Sequence, residues 1–254
     1  MSAYRVTFPR VVRAEWTKLF GLRSTWVVAA STAVLAVALA GATGWHSHRA
    51  DAQGAFLGID LFSLVLGVFG ITMITGEYGS GLVRATFAAV PRRLPVLLAK
   101  AVVLAAAVVP LMLAVSVVSL GANRLLAGHA GDAEHAGPAG SDLVWATAGA
   151  AAAPVALALI GLGVGALLRH TATAITVYVL SVLVLPALLQ AALPERLGTD
   201  VVGYVPVAAA QAMYTVGGDN PFRMLAPGTA ALVVAAWVVA ALAAGGMVLW
   251  RRDP

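Results

Sequence analysis

Six stretches of this chain are too long and too apolar to share one water-soluble core. They run over residues 24–44, 56–75, 94–120, 143–168, 171–193 and 226–250. Each is close to or above the roughly 20 residues that cross about 30 Å of hydrocarbon at 1.5 Å per residue. The whole chain of 254 residues is 61% hydrophobic and only 11% charged, with a mean hydropathy of +0.91, which is the balance of a bilayer protein. In hydrocarbon every backbone polar group must be satisfied within the segment, so runs of this length are expected to be helices. The expected fold is an all-α integral membrane protein, a single transmembrane domain of six spans over residues 1–254.

Six spans put both termini on one side, and basic residues decide which side. Arg5, Arg10, Arg13, Lys18, Arg23, Arg84, Arg92, Arg93, Lys100, Arg169, Arg251 and Arg252 fall with the termini, whereas Arg49, Arg124, Arg196 and Arg223 fall opposite. That bias places both termini in the cytoplasm of a multi-pass protein. The acidic residues Asp51, Asp60, Asp132, Glu134, Asp142, Glu195, Asp200 and Asp219 show the reverse bias.

Residues 1–23 form the cytoplasmic leader. Within it Val12, Trp16, Leu19 and Phe20 recur at helical spacing from Phe8 to Arg23, with Arg10, Arg13 and Thr17 on the other side. An aromatic-rich stripe opposite a basic face suits a helix lying in the membrane surface; the plainer reading is a solvated basic leader. Ala38-Leu39-Ala40 has the small-x-small form of a signal-peptidase site, but the basic region before it is long and itself amphipathic, so the first run is expected to be a retained span.

Several chemistries are disfavoured. The chain has no cysteine, which removes disulfides, thiolate nucleophiles and Cys-ligated metals. Its net charge of +5 sits in short segments between apolar runs and not on a soluble face, so no nucleic-acid partner is expected. Lys18 and Lys100 are followed by Leu19 and Ala101, so no P-loop is encoded. His46, His48, His129, Asp132, Glu134 and His135 all fall in exterior loops without a ligand spacing, and no metal or cofactor site is expected in the chain. The centres of the spans carry no ionisable group; Asp60, Lys100 and Asp142 lie near span ends, where snorkelling or an interface position accommodates them. Pro110, Pro154 and Pro186 fall inside spans three, four and five and are expected to bend them. Gly161, Gly163 and Gly165 have the small-residue spacing that lets helices approach closely, within the chain or across a dimer.

Against this background residues 76–93 are a polar, basic, glycine-punctuated island on the cytoplasmic side. They leave room for a helix from about Ser80 to Val90, closed by Pro91 and entered through Gly79 and Gly81. At about 15 Å such a helix is marginal in water and needs lipid or a protein partner. Of the exterior segments, 194–225 is the longest, and Pro206 to Tyr214 is compatible with a short helix at the outer interface or dipping into it.

The chain resembles the permease subunits of ABC-2 type transporters, notably the small six-span kind of high-GC Gram-positive bacteria. The resemblance lies in Ala14-Glu15-Trp16-Thr17-Lys18-Leu19 with Arg23-Ser24-Thr25-Trp26, in Thr75-Gly76-Glu77-Tyr78-x-Ser80-Gly81-Leu82-x-Arg84-x-Thr86, in Pro91-Arg92-Arg93 leading to Ala99-Lys100, and in Leu168-Arg169-His170-Thr171. It implies a half-transporter in the bacterial plasma membrane: two permease copies, identical or paralogous, each with a cytoplasmic ATPase that binds the ATP and Mg²⁺. It also implies that 76–93 carries the coupling helix, with Gly76, Glu77, Tyr78, Gly81, Arg84, Thr86, Arg92 and Arg93 serving the ATPase. Glu15, Trp16, Lys18 and Leu19 correspond to the family's interfacial helix. The exterior hairpin that some members carry between the last two spans is not evident. Two other functions fit the same topology, namely a membrane-embedded enzyme using the exterior His and acidic residues, and a non-transporting membrane anchor or assembly protein.

Overall fold

The computed structural model describes residues 7–47, 52–82, 93–127, 140–194, 201–215 and 225–251, and among these every regular element is helical. The elements are α1 (Phe8–Gly21), α2 (Arg23–Ser47), α3 (Ala52–Phe56), α4 (Ile59–Gly79), α5 (Arg93–Leu126), α6 (Ser141–Leu168), α7 (Thr171–Val179), α8 (Leu185–Ala192), α9 (Pro206–Ala212) and α10 (Pro227–Arg251). Six helical segments are long and apolar enough to cross a membrane: Arg23–Ser47, Gly54–Gly79, Arg93–Leu126, Ser141–Leu168, Thr171–Ala192 and Pro227–Arg251. The chain is an all-α multi-pass membrane protein. Where the second and third spans overrun their expected ends, a polar residue has found a partner. The third span passes position 120 because the Asn123 amide donates to the Ala40 carbonyl at 3.0 Å and to the Thr43 hydroxyl at 3.1 Å, tying it to α2.

Helix α6 is the axis of the bundle, with α4 on one side and α10 on the other. Lipid tails are as apolar as leucine, so packing geometry and not water exclusion holds such helices together. The glycines supply that geometry. A Cβ on Gly161 would overlap the Gly67 carbonyl, one on Gly70 the Ala158 carbonyl, and one on Gly163 would run into the Ala241 backbone. Gly161 and Gly165 therefore seat α4, while Gly163 seats α10, so the stripe is used within the chain. Tyr178 of α7 lays its ring where a side chain on Gly67 would be and donates to the Ser63 carbonyl at 3.2 Å.

Two of the three prolines sit in uninterrupted helices, Pro110 in α5 and Pro154 in α6. Near the third the helix changes pitch: a π-turn, Leu180–Val184, joins α7 to α8, and the Leu185 N–H reaches back to the Leu180 carbonyl just before Pro186. A wide turn there relieves the crowding that a proline ring imposes on the preceding turn. Between α6 and α7 the chain reverses within two residues. Arg169 closes α6 in the left-handed conformation (φ 59°), and the His170 ring nitrogen accepts from the Thr173 N–H at the start of α7.

Candidate functional site

On α1, residues Val11, Glu15 and Leu19 are spaced by four and lie on one face, and that is the face buried against α5. Of the apolar stripe expected to lie in the membrane surface, Leu19 is on this buried face, Val12 and Phe20 are partly buried, and Trp16 is 42% exposed. Trp16, Phe20 and Trp26 pack in succession at ring separations of 4.5 and 5.7 Å, the first pair tilted and the second edge to face, and the Trp26 indole donates to the Phe20 carbonyl at 3.1 Å. The aromatic stripe thus faces outward and the protein-facing stripe carries a glutamate.

That glutamate meets an ammonium. Lys100, in the second turn of α5, is 2% exposed, as is Glu15, and its Nζ lies 2.6 Å from the Glu15 carboxylate. The same Nζ lies 2.8 Å from Glu77 Oε1 on α4 and 3.4 Å from the Met73 carbonyl. Lys18 closes the figure from the next turn of α1, at 2.8 Å from Glu15 and 3.0 Å from Glu77. Two lysines and two glutamates alternate around one centre and join α1, α4 and α5. Lys100 does not snorkel as expected; it is directed inward. An isolated buried charge costs several kcal/mol in lost hydration, and here each buried charge is met by opposite charge on two sides. Burial alone would depress the pKa of Lys18, but its bonds to Glu15 and Glu77 outweigh that and hold it above the usual lysine value.

One residue further along α4, a second polar cluster begins. The Tyr78 ring lies 5.7 Å from the Arg169 guanidinium, and Arg169 donates to the Val248 carbonyl at 2.8 Å. Arg93, the first residue of α5, donates to the Leu249 carbonyl at 3.0 Å. The two arginines thereby serve carbonyls of the last turns of α10, where cations are favoured by the helix dipole. The left-handed backbone of Arg169, uncommon for a residue with a side chain, aims that guanidinium.

The flanks of residues 76–93 are thus anchored by different clusters, Glu77 to α1 and α5, and Tyr78 and Arg93 to the α6–α7 turn and α10. Gly76 and Gly79 are exposed in the last turns of α4, and Gly81 adopts φ +73° with open space around its Cα, so it is the backbone angle and not crowding that suits glycine there. From Val83 onward the helix expected from about Ser80 to Val90, with Arg84 and Thr86, lies outside the described residues, as does Arg92. So do His48, His129, Asp132, Glu134 and His135, while His46 is exposed in the last turn of α2. Among the described residues no three His, Cys, Asp or Glu side chains gather as metal ligands.

A cavity of about 890 Å³ opens between α1–α2 and α4 and ends at the quartet of charges. Its walls include Val28, Leu64, Val68, Phe69 and Met73, so one apolar groove runs to one compensated polar centre. Within the quartet each lysine faces both glutamates.

Compared with known protein families and with curated proteins, the chain matches none. The quartet is only partly legible in the sequence: all four residues stand in the matched stretches, but Lys100 is 85 positions from Glu15, and nothing in the spacing of the charges pairs the two. The available signal was a glutamate recurring at the spacing of Val11 and Leu19, a stripe otherwise apolar.

Proposed function

We propose that this chain is the membrane-spanning permease of an ATP-driven exporter of the ABC-2 type, working as a pair of permease copies with a separate ATPase on the cytoplasmic side. In this reading the chain is not itself an enzyme, the partner binds ATP and Mg²⁺, and both termini lie in the cytoplasm of a bacterial plasma membrane. Residues 76–93 are the docking segment, and α1 lies at the cytoplasmic interface with Trp16, Phe20 and Trp26 toward the lipid headgroups, where aromatic side chains are favoured.

The observation that supports this most is the quartet. A segment that receives force from an ATPase needs a stiff connection to the spans, and Glu77, at its base, is bonded to Lys18 of α1 and to Lys100 of α5. Glu77 then acts inward, on its own chain, while Arg84, Thr86 and Arg92 remain the residues assigned to the partner. A push on 76–93 would reach α1, α4 and α5 together. The test is co-purification from native membranes through a tag on this chain: an ATP-hydrolysing subunit should accompany it, and recovery of the chain without one would remove the reading.

A further inference from the structure

At the other end of α4 a second cavity, of about 580 Å³, lies between α4, the π-turn with α8, and α9. Its walls are largely aliphatic, from Leu61, Leu64, Val182, Leu183 and Val207. One carboxylate, that of Asp60, lies among them, with the amides of Gln190 and Gln211 lining the same space. Asp60 Oδ1 accepts from the Tyr214 hydroxyl, and the Gln211 side chain bonds to the same carboxylate. Burial, and then the neighbouring carboxylate, push the Tyr214 phenol well above its usual pKa, so it stays protonated and donates.

Both partners are neutral. Among the described residues no lysine, arginine or histidine lies within ion-pair distance of Asp60, in contrast to Glu77. An ionised carboxylate has about four acceptor positions, of which a phenol and an amide take two. Asp60 is in the first turn of α4, exposed, and its remaining acceptor capacity borders the cavity. A hard divalent ion would need six to eight oxygens, and this cavity offers one carboxylate among hydrocarbon. Its size is that of a pocket for a small organic molecule.

We propose that this cavity binds an organic ammonium with an apolar body, the cation against Asp60 and the glutamine amides and the hydrocarbon against Leu61, Leu64, Val182 and Leu183. An N–H of the ammonium donates to Asp60, and the amide oxygens accept from the others. That the ammonium is cargo rests on the permease reading above; that it binds does not, since no ATPase is involved.

The experiment uses the purified full-length chain in lipid nanodiscs and two probes of equal chain length, octylammonium and 1-octanol, titrated by calorimetry against empty nanodiscs. Octylammonium should bind saturably and more tightly than 1-octanol. Asp60→Asn should weaken octylammonium by about tenfold or more, the loss expected for hydrogen bonds to a charged group, while changing 1-octanol by less than about twofold. Asp60→Glu, which keeps the charge should the amide variant fail to fold, should retain the preference for the ammonium. Leu183→Trp, which fills the cavity, should abolish saturable binding of both. Equal binding of the two probes to the native chain, or an Asp60→Asn protein that binds octylammonium unchanged, would overturn the proposal.

Discussion

Helix α4 carries a carboxylate near each end, and the two have been given opposite surroundings. Glu77 is set between two ammonium groups, with its charge fully answered inside the chain. Asp60 is met by a phenol and an amide, which satisfy hydrogen bonds without cancelling charge. A compensated cluster has nothing left to offer a charged ligand, but it resists being pulled apart, because separating any member exposes an unpaired charge. An uncompensated carboxylate contributes little stiffness and retains attraction for a cation. Between the ends, α4 is seated on α6 through Gly67, Gly70, Gly161 and Gly165, so the two sites share one tightly packed rod.

The comparison can be broken most forcefully at Lys100. Lys100→Met leaves Glu15 buried without its closest cation and should lower stability by about 3–5 kcal/mol, seen as a large drop in the thermal unfolding temperature in detergent. Adding Glu15→Gln to that variant should recover part of the loss. If Lys100→Met alone is neutral, the quartet is not the joint described. Packing comes next. Gly161→Val puts a branched side chain against the Gly67 carbonyl and should cost about 1–3 kcal/mol by the same measurement, with the effect felt at both ends of α4.

Smaller effects are expected at the exposed members. Tyr214→Phe removes one donor from Asp60, which keeps the Gln211 side chain as a partner, so the cost should be about 1 kcal/mol. Lys18→Ala should cost less than about 1 kcal/mol, since Lys18 is 43% exposed and Lys100 still faces both glutamates. The sign of its pH dependence follows from a pKa held above 10.5. Its contribution is complete below that value and is lost as pH rises through the higher folded value, so the native chain and Lys18→Ala should converge in stability only in strongly alkaline solution.

These distinctions were unevenly legible in the sequence. The spans were legible because hydrocarbon leaves so few options: the fourth was read as 143–168 and runs Ser141–Leu168, and the sixth as 226–250 and runs Pro227–Arg251. The ends of spans two and three were read short at 75 and 120, because a hydropathy pattern stops at polar residues and cannot know that Glu77 and Asn123 have partners on other helices. The glycine spacing of 161–165 was read as a close helix contact, but which helix faced which glycine depended on the three-dimensional arrangement. Charge pairing was least legible, since Lys100 acquires its meaning from residues 23 and 85 positions away. Asp60 was read as an ordinary span-end acid, and its neutral company was not foreseeable from its neighbours in sequence.

On the proposed permease reading, ATP hydrolysis tests most directly whether Glu77 joins a partner ATPase to the spans. The native chain and its Glu77→Gln variant, each reconstituted with the ATPase that the co-purification is expected to recover, would be compared with and without a substrate of that complex. Glu77→Gln should still recruit the ATPase and hydrolyse ATP at the basal rate, but should lose the substrate-dependent stimulation. Stimulation that survives Glu77→Gln at the native level would contradict the role assigned to the quartet.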